Sequence, residues 1–204
     1  MRIGKGLFRG LIRLEPFDIA CNNISMGKAG LDKILVVDLE TTCWEKRQRG
    51  QIMEVIEMGV CLLDIGSGEI TDRQGILIKP VYSAVSEFCT KLTTLTQGQV
   101  DAGIMFREGC LKLEDEYQSK KRVWASYGDF DRRQIEKECR LKNVPYPFGS
   151  RHINVKTLFA VKHRLAEEID MDKAVALLGL ELIGTHHRGV DDAYNAARIF
   201  WSLI

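Results

Sequence analysis

Residues 34–40 read Ile-Leu-Val-Val-Asp-Leu-Glu (ILVVDLE), a short, β-branched apolar run that closes on two acids two positions apart. A run of this length and composition is a central strand. Side chains alternate faces along a strand, so Asp38 and Glu40 point the same way. Two carboxylates at the end of an apolar strand are costly unless something positive compensates them; the plain alternative is that the strand has ended and both acids are solvated.

On the C-terminal side, VIEMGVCLLD (55–64) and GILIKPV (75–81) read as two more strands, joined by the tight turn IGSGE (65–69) into a hairpin. The Gly-Ser-Gly of that turn lacks the Lys-Ser/Thr of a phosphate loop, which excludes a nucleotide-binding reading. Helical spacing covers Gln97 to Tyr117. RVWASY (122–127) reads as a fourth strand, followed by a helix from Asp131 to Lys142. HINV (152–155) is a fifth strand, with helices after it. The last helix starts near Gly189, and Ala193, Ala196, Ala197, Phe200 and Ile204 form an apolar stripe whose alanines let it lie close against a sheet. Three strands followed by β–α alternation imply an α/β fold with a mixed five-stranded sheet flanked by helices.

The chain has 204 residues, 28% charged and 45% hydrophobic, the profile of a globular protein of ordinary domain size. With a net charge of +1, nucleic-acid affinity would have to come from a local basic patch or bound metal. The six cysteines show no CxxC pair and no zinc spacing. Several sit in apolar runs, which suggests buried thiols in a reducing compartment and a cytoplasmic protein. No stretch approaches the roughly 20 apolar residues of a membrane span. Residues 31–204 are expected to form one domain behind an N-terminal extension, 1–30. Within that extension Met1 to Leu14 is basic, with Ile3, Leu7, Phe8, Leu11 and Ile12 on one helical face. It reads as a loosely packed tail, an organelle transit peptide or membrane-surface helix being the alternative.

Further acids recur where strand meets helix. Asp129 and Asp131 follow the fourth strand, where an N-cap is the simpler reading. Asp191 and Asp192 open the last helix, where acids complement the helix dipole, and His186 and His187 precede them in a glycine-flanked loop. Taken together, these groups suit divalent metal: Mg²⁺ and Mn²⁺ prefer oxygen ligands, and two-metal sites need several convergent carboxylates. Histidine supplies a general base near neutral pH. The spacing leaves two registers open, His187 with Asp192 or His186 with Asp191.

VVDLETT, SYGDFD and HHRGVDDAYNAARI resemble, in order and spacing, the three motifs of the DEDDh 3′–5′ exonucleases of the DnaQ/ribonuclease T superfamily. The resemblance runs from about Lys33 onward and is nearest the subgroup of histone-mRNA and RNAi-linked 3′ exonucleases and KapD-like proteins. EVIEMG (54–59) and FCTKLTTLTQGQVD also look like that subgroup's text. The resemblance implies an RNase H-like fold and two ions, Mg²⁺ or Mn²⁺, held by Asp38, Glu40, Asp131 and Asp192. It makes Asp129 a neighbour, and it gives Glu40 a contact with the attacking water and His187 the role of general base. Thr41, Trp44, Arg132 and Arg188 are further candidates for substrate contact, Trp44 by stacking on a terminal base. The implied reaction is hydrolysis from the free 3′ end of single-stranded RNA or DNA, RNA favoured, releasing nucleoside 5′-monophosphates. A DNA proofreading-type exonuclease and a catalytically silent nucleic-acid-binding module of the same fold are the rival readings.

Overall fold

Strand β1 (Lys33–Thr41) forms the middle of a five-stranded sheet of order β3-β2-β1-β4-β5, seen in a computed structural model that describes residues 31–46 and 48–204. It pairs antiparallel with β2 (Val55–Asp64), which pairs antiparallel with β3 (Ile70–Leu77). On its other side β1 runs parallel to β4 (Trp124–Ser126), and β4 parallel to β5 (His152–Asn154). This is the mixed sheet expected from the order of the segments. The N-terminal extension lies outside the described residues.

The hairpin turn is tighter than the sequence suggests. Asp64 Oδ1 accepts from the amides of Gly66 and Ser67, and Asp64 N donates to the Glu69 carbonyl. The strand therefore resumes at Ile70, five residues before the expected Gly75.

Seven helices cover the sheet among the described residues: α1 (Glu87–Thr93), α2 (Gln97–Asp101), α3 (Phe106–Tyr117), α4 (Phe130–Lys142), α5 (Val155–Lys162), α6 (Met171–Leu177) and α7 (Gly189–Trp201). The helical pattern from Gln97 to Tyr117 is split at 102–105. There Ile104 N donates to Leu77 O and Lys79 N to Ile104 O, so this short segment extends the sheet edge instead of continuing the helix. Gly103 permits that approach, since a Cβ there would lie 2.5 Å from Leu77 O.

Alternation along β1 sorts the core into two layers. Ile34 and Val36 join Cys61, Leu63, Phe159 of α5, Ala174 of α6 and Ala193, Ala196, Ala197 and Phe200 of α7. Leu35, Val37 and Leu39 join Met58, Val60, Phe106 and Leu113 of α3 and Ile135 of α4. The stripe on α7 is thus buried as far as Phe200, but Ile204 falls beyond the helix and is 63% exposed. Four of the five described cysteines are buried and none is in a disulfide. No described helix is long and apolar enough to cross a membrane.

Candidate active site

The face of β1 that begins with Ile34 and Val36 continues as Asp38 and Glu40, so the alternation that builds the α7 layer also aims both acids at α7. Asp38 stands opposite Gly59 of β2, and Glu40 opposite Glu57. The first turn of α7 lies directly on these two strands. A Cβ on Gly59 would fall 1.8 Å from the Gly189 carbonyl carbon, and one on Gly189 would sit 3.0 Å from Asp38 O. No side chain separates helix from sheet here, which brings Asp192 over the end of β1. Carboxylate oxygens of Asp38, Glu40 and Asp192 all lie within 4.8 Å of one another.

Asp131 arrives from the first turn of α4 and is fixed by Leu39 N, which donates to its Oδ1 at 2.9 Å. It is 4% exposed and shares a cavity of about 630 Å³ with Asp38, Glu40 and Asp192, a volume within the ordinary range for ligand sites. Asp129 occupies the N-cap position of α4, but its side chain makes no cap hydrogen bond. It pairs instead with Arg132 at 3.0 Å and Arg133 at 3.1 Å, away from that cavity.

The carboxyls of Asp38, Glu40, Asp131 and Asp192 are each pushed above the ordinary carboxylate range. Withdrawal from water is the first cause throughout, and mutual repulsion adds to it at Asp38 and Glu40. Glu40 is raised to about 8 and Asp131 to about 7. Among the described residues, Lys156 is the one lysine or arginine lining the cavity, and it pairs with Asp170 at 3.0 Å. An anionic, all-oxygen set of this kind, short of counter-charge, fits an oxygen-preferring divalent cation. Bound there, the cation would return the carboxyls to their ionised form.

The histidines are held by the same helix. His187 has φ of +63°, in the left-handed region, and its amide donates to Asp192 Oδ2 at 2.8 Å. His186 Nδ1 lies 3.1 Å from Asp192 Oδ1, and the two rings stack with centroids 4.0 Å apart. Both line the cavity. It is therefore His186, and not His187, whose ring touches the Asp192 carboxylate in this structure. Burial, and then the neighbouring charge of His186, hold the His187 imidazole below its usual value.

Asp191 and Asn195 lie off the apolar stripe of α7, yet neither is left to solvent. Asp191 forms an ion pair with Arg73 of β3 and accepts from Thr185 N at 2.7 Å. Asn195 is 1% exposed and bonds both the amide and the carbonyl of Ile183. Together they fasten the histidine loop to the helix that follows it.

Of the remaining candidates, Thr41 lines the cavity, while Trp44, Arg132 and Arg188 do not. Trp44 turns into a neighbouring cavity. Arg132 is held by Asp129. Arg188 makes two 3.1 Å bonds to Glu57, which also accepts from Gly189 N at 2.9 Å. Glu57, fully buried and opposite Glu40, is the residue that single-residue reading missed: it seats the start of α7. An acid within the otherwise apolar VIEMGVCLLD was the available signal. Phe130, 49% exposed, and Lys156 also line the cavity without having been singled out from the sequence.

With this geometry in hand, comparisons with known proteins are specific. The profile of the RNase_T family, described as Exonuclease, matches residues 35–200. The 3′-5′ exoribonuclease 1 of Rattus norvegicus is 32% identical over 179 residues, covering 82% of this chain and 52% of the relative. ERI1 exoribonuclease 2 of Homo sapiens is 27% identical over 221 residues, covering 96% of this chain and 32% of the relative. The chain thus spans a third to a half of the length of these curated relatives. Among solved structures, the nuclease domain of 3′hExo, a DEDDh family member, bound to rAMP, superposes with a TM-score of 0.78 at 28% identity, covering 85% of this chain and 92% of that one.

Proposed function

The chain belongs to the RNase T exonuclease family, and on that premise we propose that it is a divalent-metal-dependent 3′–5′ exonuclease acting on single-stranded RNA. The observation that carries this reading is the convergence of Asp38, Glu40, Asp131 and Asp192 from three separate elements on one cavity that also holds two histidines. These four carboxylates would hold two ions, Mg²⁺ or Mn²⁺. Bound there, divalent ions supply the positive charge that draws in a phosphodiester and make water more acidic.

The protein's own groups do the rest. Leu39 N fixes the orientation of Asp131, and the His187 amide that of Asp192, so neither carboxylate has to reorganise when substrate enters. His187, neutral at pH 7 because burial lowers its proton affinity, accepts the proton of the attacking water at its ring nitrogen. Glu40 would orient that water. Phe130 and Thr41 form the wall against which a terminal nucleoside would rest. The choice of RNA rests on the relatives, whose names are exoribonucleases, and on the neighbour bound to rAMP.

Incubation of purified protein with RNA and DNA labelled at the 5′ end tests the reading. Stepwise shortening should require Mg²⁺ or Mn²⁺, stop in excess chelator, be faster on RNA, and be blocked by a 3′-phosphate. Cleavage of a circular single strand at the linear rate would refute the 3′-end assignment, and undiminished turnover in chelator would refute the metal dependence.

A further inference from the structure

A second cavity, of about 550 Å³, is lined by residues next in sequence to two that line the one with the carboxylates. Cys43 lines the first and Trp44 the second; Leu92 of α1 lines the first, and Phe88 and Lys91 the second. Phe88, Lys91 and Leu92 stand three and four residues apart, so one helix face serves both cavities. Ser86, the N-cap of α1, donates from Oγ to Cys43 O at 2.6 Å and so pins that helix to the chain leaving β1. The two cavities are thereby held in fixed register.

Their chemistries differ. Among the described residues, the first is lined by six acids, Asp38, Glu40, Asp131, Asp170, Asp172 and Asp192, against one lysine. The second, among the described residues, offers two aromatics, Trp44 and Phe88, two lysines, Lys46 and Lys91, matched by two acids, Glu45 and Glu87, and the polar side chains of Gln48, Gln51 and Ser86. Phe88 is 40% exposed and both lysines are exposed. Aromatic faces interleaved with lysines suit bases and phosphates of a flexible single strand, because every base has a face to stack and every linkage a charge to pair.

We propose that the Trp44–Phe88–Lys91 cavity receives the nucleotide on the 5′ side of the scissile linkage, in either ribo- or deoxyribonucleic acid. Trp44 and Phe88 stack on its base, and Lys46 and Lys91 pair with the phosphate on its 5′ side, one linkage away from the scissile one. This rests on the exonuclease reading above: the terminal nucleotide fills the acidic cavity, and the strand leaves along α1. Trp44 therefore serves the base behind the terminal one, and not the terminal base expected from its place just after the first motif.

The test compares an oligonucleotide with the p-nitrophenyl ester of thymidine 5′-monophosphate, whose leaving group carries neither a base nor a further phosphate. Trp44→Ala should raise KM for the oligonucleotide about tenfold, the scale of losing one base–aromatic stack, and Lys91→Gln should raise it by a smaller factor that shrinks with salt. The increase should be at least about fivefold larger on the oligonucleotide than on the ester. Equal effects on both substrates, or none on the oligonucleotide, would overturn the assignment; Lys91 is an exposed helix residue, so its variant folds whatever happens at Trp44. If the unaltered protein hydrolyses neither substrate, the exonuclease reading fails, and fluorescence anisotropy of a labelled oligonucleotide decides the cavity by itself. Binding weakened about tenfold in Trp44→Ala would uphold it, and unchanged binding would overturn it.

Discussion

Replacing Glu40 by glutamine should stabilise the metal-free protein and destabilise its metal-bound form relative to the unaltered chain. The folded protein raises the Glu40 carboxyl from 4.5 to about 8, through withdrawal from water first and the charge of Asp192 second. An acid raised in the folded state contributes stability that is complete below its unfolded value and is lost as pH climbs through its folded value. Stability of the chelated protein should therefore fall between about pH 4.5 and pH 8 and level off above. That interval of about 3.5 pH units, at about 1.36 kcal/mol each, corresponds to about 5 kcal/mol at most. Asp38 and Asp131 belong to the same cluster, and a proton kept by one eases the others. Glutamine should thus recover roughly half, about 2–3 kcal/mol near pH 8, or roughly 4–12 °C in melting temperature for a protein of this size. Thermal unfolding followed by circular dichroism in EDTA, near pH 5 and near pH 8, reads this directly. The variant should melt higher near pH 8, and the gap should close near pH 5. In excess Mn²⁺ the order should reverse, because the unaltered protein gains the binding free energy and the variant has lost a donor. If the unaltered protein melts as high as Glu40→Gln in chelator near pH 8, the cluster is not held against its own repulsion and this reasoning fails.

Asp131→Asn should remove nearly all nuclease activity, whereas Asp129→Asn, which loses contacts to Arg132, Arg133 and His152, should keep most of it; kcat on a labelled oligonucleotide distinguishes them. His187→Ala should lower kcat roughly a hundredfold or more, as expected for a lost general base, with metal affinity by calorimetry largely kept. His186→Ala should act mainly through Asp192, which it touches, and so weaken metal binding more than it slows turnover at saturating metal. Gly59→Ala puts a methyl into the backbone of Gly189 and should cost at least about 3 kcal/mol by chemical denaturation, with activity lost alongside.

Much of the architecture is legible because one pattern, alternation along a strand, sets both core and site. The residues that put Ile34 and Val36 under α7 put Asp38 and Glu40 there too, and the alanines of α7 state how closely it approaches. What sequence does not show is pairing between distant charges. Arg188 and Arg132 look like phosphate ligands, yet each is engaged by a carboxylate, Glu57 and Asp129, and Asp191 looks solvated until Arg73 is brought to it from another strand. The break near Gly103 is hidden for the same reason: its cause is the edge of β3, not any local helix signal. The choice between the two histidines depends on a left-handed turn at His187 that no side-chain pattern announces.

The seat of α7 on Gly59 and Glu57 also sets how the protein can fail. Asp192 and the anchors of the histidine loop all ride on that one helix, while Asp38, Glu40 and Asp131 belong to the sheet and α4. A partial opening that releases α7 alone would leave the sheet paired and yet strip the cavity of one carboxylate and both imidazoles. The free energy that governs turnover is then that of a sub-global opening, which lies at or below that of global unfolding. Amide exchange along 189–201, measured beside activity in mild denaturant, would show the two declining together while β1 and β2 stay protected.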